Sequence, residues 1–119
     1  MSGQERFGNV VDVWSLAHIF WGAVCGATVW VLTPLASFLI ALGVAVLNEL
    51  FETTALGIWV CGFLEPGYSG DFLVNSVADV NFNLLGWNAV LCVYDVWFAR
   101  LLPVWVVFIL ILMITDGTR

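Results

Sequence analysis

The longest uncharged stretch of the chain sets the strongest limit on how it can fold. Between Asp12 and Glu49 lie 36 residues without one Asp, Glu, Lys or Arg. As a single α-helix this stretch would be about 54 Å long, whereas about 20 residues cross a hydrocarbon core of ~30 Å. The stretch therefore predicts two helices folded back on each other.

The composition places these helices in a membrane. Of the 119 residues, 62% are hydrophobic and 10% are charged, which is too little charge for the surface of a soluble domain of this size. We expect an all-α, multi-pass integral membrane protein, with a single transmembrane domain over 1–119. The fold would be an up-and-down bundle of about four transmembrane helices, at about 11–32, 34–53, 72–94 and 99–115.

Two connecting segments are less regular. The stretch 65–71 combines one proline with two glycines and is expected to be a loop. The stretch 54–64 is apolar but contains two glycines, and it could extend the second helix, lie in the interface or re-enter the membrane.

The arginines indicate the orientation. With four helices, Arg6 and Arg119 share one side of the membrane and Arg100 lies on the other, which favours cytoplasmic termini.

The charge balance limits the partners. The net charge is −6, with three arginines and no lysine, so the basic clusters needed for nucleic acid are absent from the sequence. The expected partners are the lipid bilayer and other membrane protein subunits.

The tryptophans are expected to anchor the helices in the membrane. The sequence has seven, and indole rings favour the headgroup region at helix ends. Those near predicted helix ends are Trp14, Trp30 and Trp97 and, less clearly, Trp59 and Trp87.

Polar residues converge in one leaflet of the predicted bundle. They occupy the first half of helix 1, the end of helix 2 and the first half of helix 3, and these three segments share a membrane side in an up-and-down bundle. The four-residue spacing of the third set forms one stripe, and no comparable set is expected in the other half of these helices. The predicted polar cluster comprises His18, Asn48, Glu49, Glu52, Asp71, Asn75, Asp79 and Asn83.

Four interpretations of this cluster are open. It could join the helices by hydrogen bonds, or perform acid–base catalysis on a lipid-linked substrate. It could bind Mn, Fe or Zn through His18, Glu49, Glu52 and Asp79, because an imidazole with carboxylates suits these metals. Alternatively, His18 could be the axial ligand of a chlorophyll or haem, since a small residue precedes it and aromatic residues follow it.

Helix 1 also carries a small-residue motif. Gly22 and Gly26 form a GxxxG sequence, which lets a second helix approach closely. We expect packing within the chain rather than dimerisation.

The polar residues of helix 3 carry a resemblance to a known family. The segment from Gly70 to Gly86 contains Asp79-x3-Asn83-x2-Gly86, which resembles the signature of VanZ-like membrane proteins. VanZ-like proteins also carry a histidine in an early helix and a glutamate at the end of the next helix. In this chain His18 is similar to that histidine, and Glu49 or Glu52 is similar to that glutamate, in the same order. The resemblance implies a four- or five-helix fold with a polar intramembrane cluster, and it implies little about chemistry.

Two classes of function follow. The first is a non-catalytic accessory or structural subunit of a larger membrane complex, which the short loops and GxxxG motif favour. The second is a VanZ-like protein whose intramembrane site binds a metal or a lipid headgroup, with enzymatic activity as one form of it. A pigment- or haem-binding subunit is the remaining alternative.

Overall fold

A computed structural model describes residues 13–52, 54–64 and 73–117 of the chain. The elements in these ranges are all helical, which confirms the all-α fold class. The predicted loop at 65–71, including Asp71, lies outside the described residues. The helices are α1 (Val13–Gly26), α2 (Pro34–Glu52), α3 (Ala55–Leu64), α4 (Leu73–Tyr94) and α5 (Leu102–Gly117), with 3-10 segments at Ala27–Trp30 and Val96–Leu101.

Helix α4 is the centre of the fold, and α1 packs on it with the two backbones in contact. A Cβ atom added to Gly22 would lie 1.8 Å from the Asn83 carbonyl oxygen, and one added to Gly86 would lie 1.9 Å from that of Ile19. A Cβ atom added to Gly26 would lie 3.0 Å from the Trp87 carbonyl oxygen. The GxxxG motif of α1 is thus used within the chain, because only glycine leaves room for the neighbouring backbone.

Helices α2 and α5 also pack on α4. One apolar cluster joins the 3-10 segment after α1, α2 and α4, and a smaller one joins α4 to α5. The first cluster contains Val29, Ala41, Leu84, Trp87 and Leu91, and the second contains Ala78, Phe82 and Ile109.

Hydroxyl groups fix the turns between helices. Thr33 accepts a hydrogen bond from the Ala36 amide at 3.1 Å, next to Pro34 in the first position of α2, where proline loses no helical hydrogen bond. Thr54 accepts from the Gly57 amide at 3.0 Å and caps α3, as threonine does at helix N-termini. The segment 54–64 is therefore a separate helix after a break, and it does not extend α2.

Two helical segments, Pro34–Glu52 and Val96–Thr115, are long and apolar enough to cross a membrane. Helix α1 has 14 residues, and the 22-residue α4 carries several amides and Asp79 that lower its hydropathy. These two helices are therefore shorter or more polar than the other two. The predicted break near Asp95 is a 3-10 segment, capped where the Asp95 side chain accepts from the Trp97 amide at 3.0 Å.

The described residues combine an apolar exterior with several buried polar side chains. Large apolar side chains are exposed along every helix; Leu16 is 69% exposed and Leu47 is 67% exposed. The buried polar side chains are Ser15, His18, Ser37, Glu49, Asn75, Asp79, Asn83 and Asn88. Since soluble proteins bury apolar groups and expose charged ones, this distribution suits an apolar solvent.

Candidate functional site

Three helices bring the predicted polar residues together on one side of α4. Asn75, Asp79 and Asn83 follow each other at four-residue intervals, and all three are buried. His18 of α1 and Glu49 of α2 are buried at 8% and 7% exposure and face this stripe. Below we call His18, Glu49, Asn75, Asp79 and Asn83 the α4 cluster.

His18 contacts the α4 stripe through both ring nitrogens. Its Nδ1 lies 3.0 Å from the Asn83 Nδ2 atom, and its Nε2 lies 3.3 Å from the Asp79 Oδ2 atom. The close approach of α1 at Gly22 makes this possible, because Gly22 is one helical turn from His18 and touches the Asn83 backbone. The glycine motif and the polar motif are therefore parts of one arrangement.

The hydrogen bonds determine the state of the imidazole. Asn83 Nδ2 also donates to the Asp79 carbonyl oxygen at 3.1 Å, so the atom facing His18 Nδ1 is the amide nitrogen and a donor. Nδ1 must then be an acceptor, which leaves the proton of the neutral ring on Nε2, facing Asp79. A protonated ring would place two donors against each other. With the Asn83 amide in this orientation, the contacts favour the neutral Nε2–H form of His18.

The carboxylates lie beside this imidazole. Asp79 Oδ2 also accepts a long hydrogen bond from Asn75 Nδ2, at 3.5 Å. His18, Glu49 and Asp79 each offer one ligand atom, and the three atoms lie within 4.8 Å of one another. Glu52, the fourth predicted metal ligand, lies outside this group and is half-buried at the end of α2.

The distances among His18, Glu49 and Asp79 would suit a metal ion, but the hydrogen bonds oppose one. A metal bound to His18 Nε2 requires the proton on Nδ1, where it would face the Asn83 amide donor. Reversing that amide would point its oxygen at the Asp79 carbonyl. Coordination therefore needs Asn83 to move. The same contacts leave neither ring nitrogen directed outward as an axial ligand for a pigment or haem.

A cavity of about 240 Å³ lies next to the α4 cluster. His18 and Asn83 line it from inside, and Asn48 adds a third polar side chain. The other lining residues are Trp21, Val44 and Ala45. Trp21 is 57% exposed and Val44 is 44% exposed, so the cavity has an exposed apolar rim formed by α1 and α2.

A second polar network lies in the other half of the bundle, where sequence reasoning expected none. Ser37 Oγ accepts from Trp87 Nε1 and Thr28 Oγ1, both at 3.0 Å. Asn88 donates to the Phe98 carbonyl oxygen at 2.8 Å and accepts from Trp105 Nε1 at 3.0 Å. These groups are uncharged and paired, which is typical of buried polar groups that stabilise packing.

The second network corrects the expectation for Trp87. This residue is 3% exposed and lies in the apolar core, not near a helix end. Its position four residues after Asn83 was the available signal, since the stripe of Asn75, Asp79 and Asn83 continues through it on the same face.

No curated protein and no solved structure matches the chain. The resemblance to VanZ-like proteins stays a prediction. One family model matches residues 1–118, which is nearly the whole chain. The chain therefore belongs to the family described as "Protein of unknown function (DUF2585)".

Proposed function

We propose that this chain is a multi-pass membrane protein whose α4 cluster and adjoining cavity form a ligand-binding site within the bilayer. The observation that carries the proposal is the cavity itself. Polar groups that served only to join helices would be closed off from their surroundings, as in the second network around Ser37. Here His18 and Asn83 face an open space instead.

Helix lengths support four membrane crossings. Helix α1 with its 3-10 segment is about 29 Å long, α2 about 29 Å and α4 about 33 Å, close to the ~30 Å of a hydrocarbon core. The polar residues of α4 do not oppose a crossing, because Asn75, Asp79 and Asn83 are buried against α1 and α2. Lipid would meet mostly apolar side chains.

The chemistry of the site supports polar ligand binding with acid–base capacity. A neutral imidazole and two carboxylic groups within 4.8 Å can exchange a proton, and an apolar surrounding strengthens each electrostatic contact. Intramembrane ionisable residues are rare and usually functional. A role confined to helix packing would not need three ionisable groups at one point.

Native mass spectrometry of the full chain, extracted from its own membrane in mild detergent, tests the proposal. The wild type should retain a small-molecule mass. Val44→Phe fills the mouth of the cavity and should lose it. Val93→Phe adds the same bulk at an 80% exposed position of α4 and should keep it.

The opposite results are equally clear. A wild type without bound mass, or a Val44→Phe variant that retains it, would contradict the proposal. Co-migration with protein partners at fixed stoichiometry, with no small-molecule mass, would instead assign the chain the role of an accessory subunit.

A further inference from the structure

The position of the cavity indicates the side from which a ligand enters. Val44 and Asn48 lie eight and four residues before the end of α2 at Glu52, which places them about 6–12 Å below that end. Trp21 and Val44 form an apolar, exposed rim. If the chain spans the membrane as proposed above, this rim faces lipid, and the polar floor lies just below the headgroup level.

The cavity wall includes a carbonyl acceptor that the packed helices leave unused. Asn83 is 4% exposed, and both hydrogens of its amide nitrogen are directed at His18 and at the Asp79 carbonyl oxygen. None of the described residues donates a hydrogen bond to its Oδ1 atom, although the side chain lines the cavity. An amide oxygen that lines a cavity in this way can accept a hydrogen bond from a ligand.

Asn48 presents a second amide to the same space. It is exposed on the apolar surface of α2, and among the described residues it has no hydrogen-bond partner. An amide facing lipid without a partner is costly. The two amides therefore suit a ligand with several N–H or O–H groups and an apolar part.

The charge near the site selects among such ligands. Glu49 and Asp79 each offer a carboxylate oxygen within 4.8 Å of a His18 ring nitrogen, and the only Arg or Lys of the described residues is Arg100, in the 3-10 segment beyond the C-terminal end of α4. The chain as a whole carries −6. This field favours a cationic group and disfavours an anionic one.

We infer that the cavity binds the primary ammonium headgroup of a membrane amphiphile, which enters between α1 and α2. The inference rests on the proposed ligand site and names its ligand class. The ammonium group donates to Asn83 Oδ1 and Asn48 Oδ1, the acidic residues next to His18 attract its charge, and the acyl chains remain outside the apolar rim. No bond is formed or broken in this binding step.

A methylation series separates the ammonium group from the rest of the lipid. The purified full chain is titrated in detergent with phosphatidylethanolamine, its N-monomethyl and N,N-dimethyl derivatives, and phosphatidylcholine, all with the same acyl chains, and adducts are counted by native mass spectrometry. Affinity should fall along the series by at least about tenfold in total, since each methyl group removes one N–H donor at constant charge. Phosphatidylglycerol, which is anionic, should bind weakest.

Variants test whether the binding occurs in the cavity. Asn48→Leu and Glu49→Gln should each reduce phosphatidylethanolamine binding by about tenfold, while Val93→Ala, on the exposed face of α4, should not change it. Circular dichroism of each variant confirms that the helices are retained.

Each alternative outcome has a distinct meaning. Equal binding of phosphatidylethanolamine and phosphatidylcholine, preference for phosphatidylglycerol, or full competition by free ethanolamine at the lipid concentration would overturn the inference. If another mass is retained by the wild type and lost in Val44→Phe, the ammonium inference fails and the ligand site stands. If no probe binds and no variant changes any adduct, both fail.

Discussion

Replacing Gly22 by alanine tests the backbone contact on which the site depends. The new Cβ would lie 1.8 Å from the Asn83 carbonyl oxygen and 2.6 Å from its carbon. Ordinary van der Waals contact begins near 3.4 Å, so α1 and α4 must separate locally by about 1.6 Å. The obstacle is backbone and cannot rotate away. Overpacking of this kind costs ~1–3 kcal/mol, and alanine recovers at most ~1 kcal/mol through helix propensity.

Gly43→Ala is the matched control. Gly43 lies within α2, and a Cβ there would meet nothing within 4 Å. We expect this variant to equal or exceed the wild type by up to ~1 kcal/mol, whereas Gly22→Ala should show a net loss of ~1–2 kcal/mol. Reversible unfolding in mixed dodecylmaltoside and SDS micelles, followed by tryptophan fluorescence, measures both. Equal free energies of unfolding for the two variants would refute the contact between α1 and α4.

Three further predictions follow from the polar contacts. Asp79→Asn should change the free energy of unfolding by less than ~1 kcal/mol, because the amide oxygen can still face His18. Asp79→Ala should cost ~1–3 kcal/mol, because it leaves the ring N–H without its acceptor. The same micelle titration compares the two variants, and equal costs would contradict the assigned tautomer. Trp87→Phe should cost about 1 kcal/mol or more through loss of the Ser37 hydrogen bond, and the exposed Trp59→Phe should cost almost nothing in that assay. Elemental analysis of protein purified without chelators should find no stoichiometric Mn, Fe or Zn, and one bound metal per chain would show that Asn83 moves to permit coordination.

The sequence predicted the all-α fold class and the shared face of several polar residues because both depend on periodic patterns. The uncharged run before Glu49 and the turn at Pro34 are visible without any tertiary information. Four-residue spacing placed Asn75, Asp79 and Asn83 on one face of a helix, and the structure brings His18 to that face.

Other features depended on contacts between distant residues, which spacing cannot reveal. Trp87 looked like an interfacial anchor, yet its indole N–H reaches Ser37, fifty residues earlier in the chain. Glu49 and Glu52 are equivalent by sequence pattern, but the rotation of α2 turns only Glu49 toward His18. The cavity likewise is lined by residues of α1, α2 and α4, which no local pattern brings together.

The state of His18 tests the central claim, a preorganised polar site between α1, α2 and α4, more directly than a stability measurement does. The chain contains one histidine, so ¹⁵N-histidine labelling in lipid bilayers reports on this residue alone. The account predicts a neutral ring with the proton on Nε2 and a hydrogen-bonded, unprotonated Nδ1, and both signals should shift in Asn83→Ala. A ring protonated on Nδ1, or one that titrates like an exposed imidazole and ignores Asn83→Ala, would contradict the account.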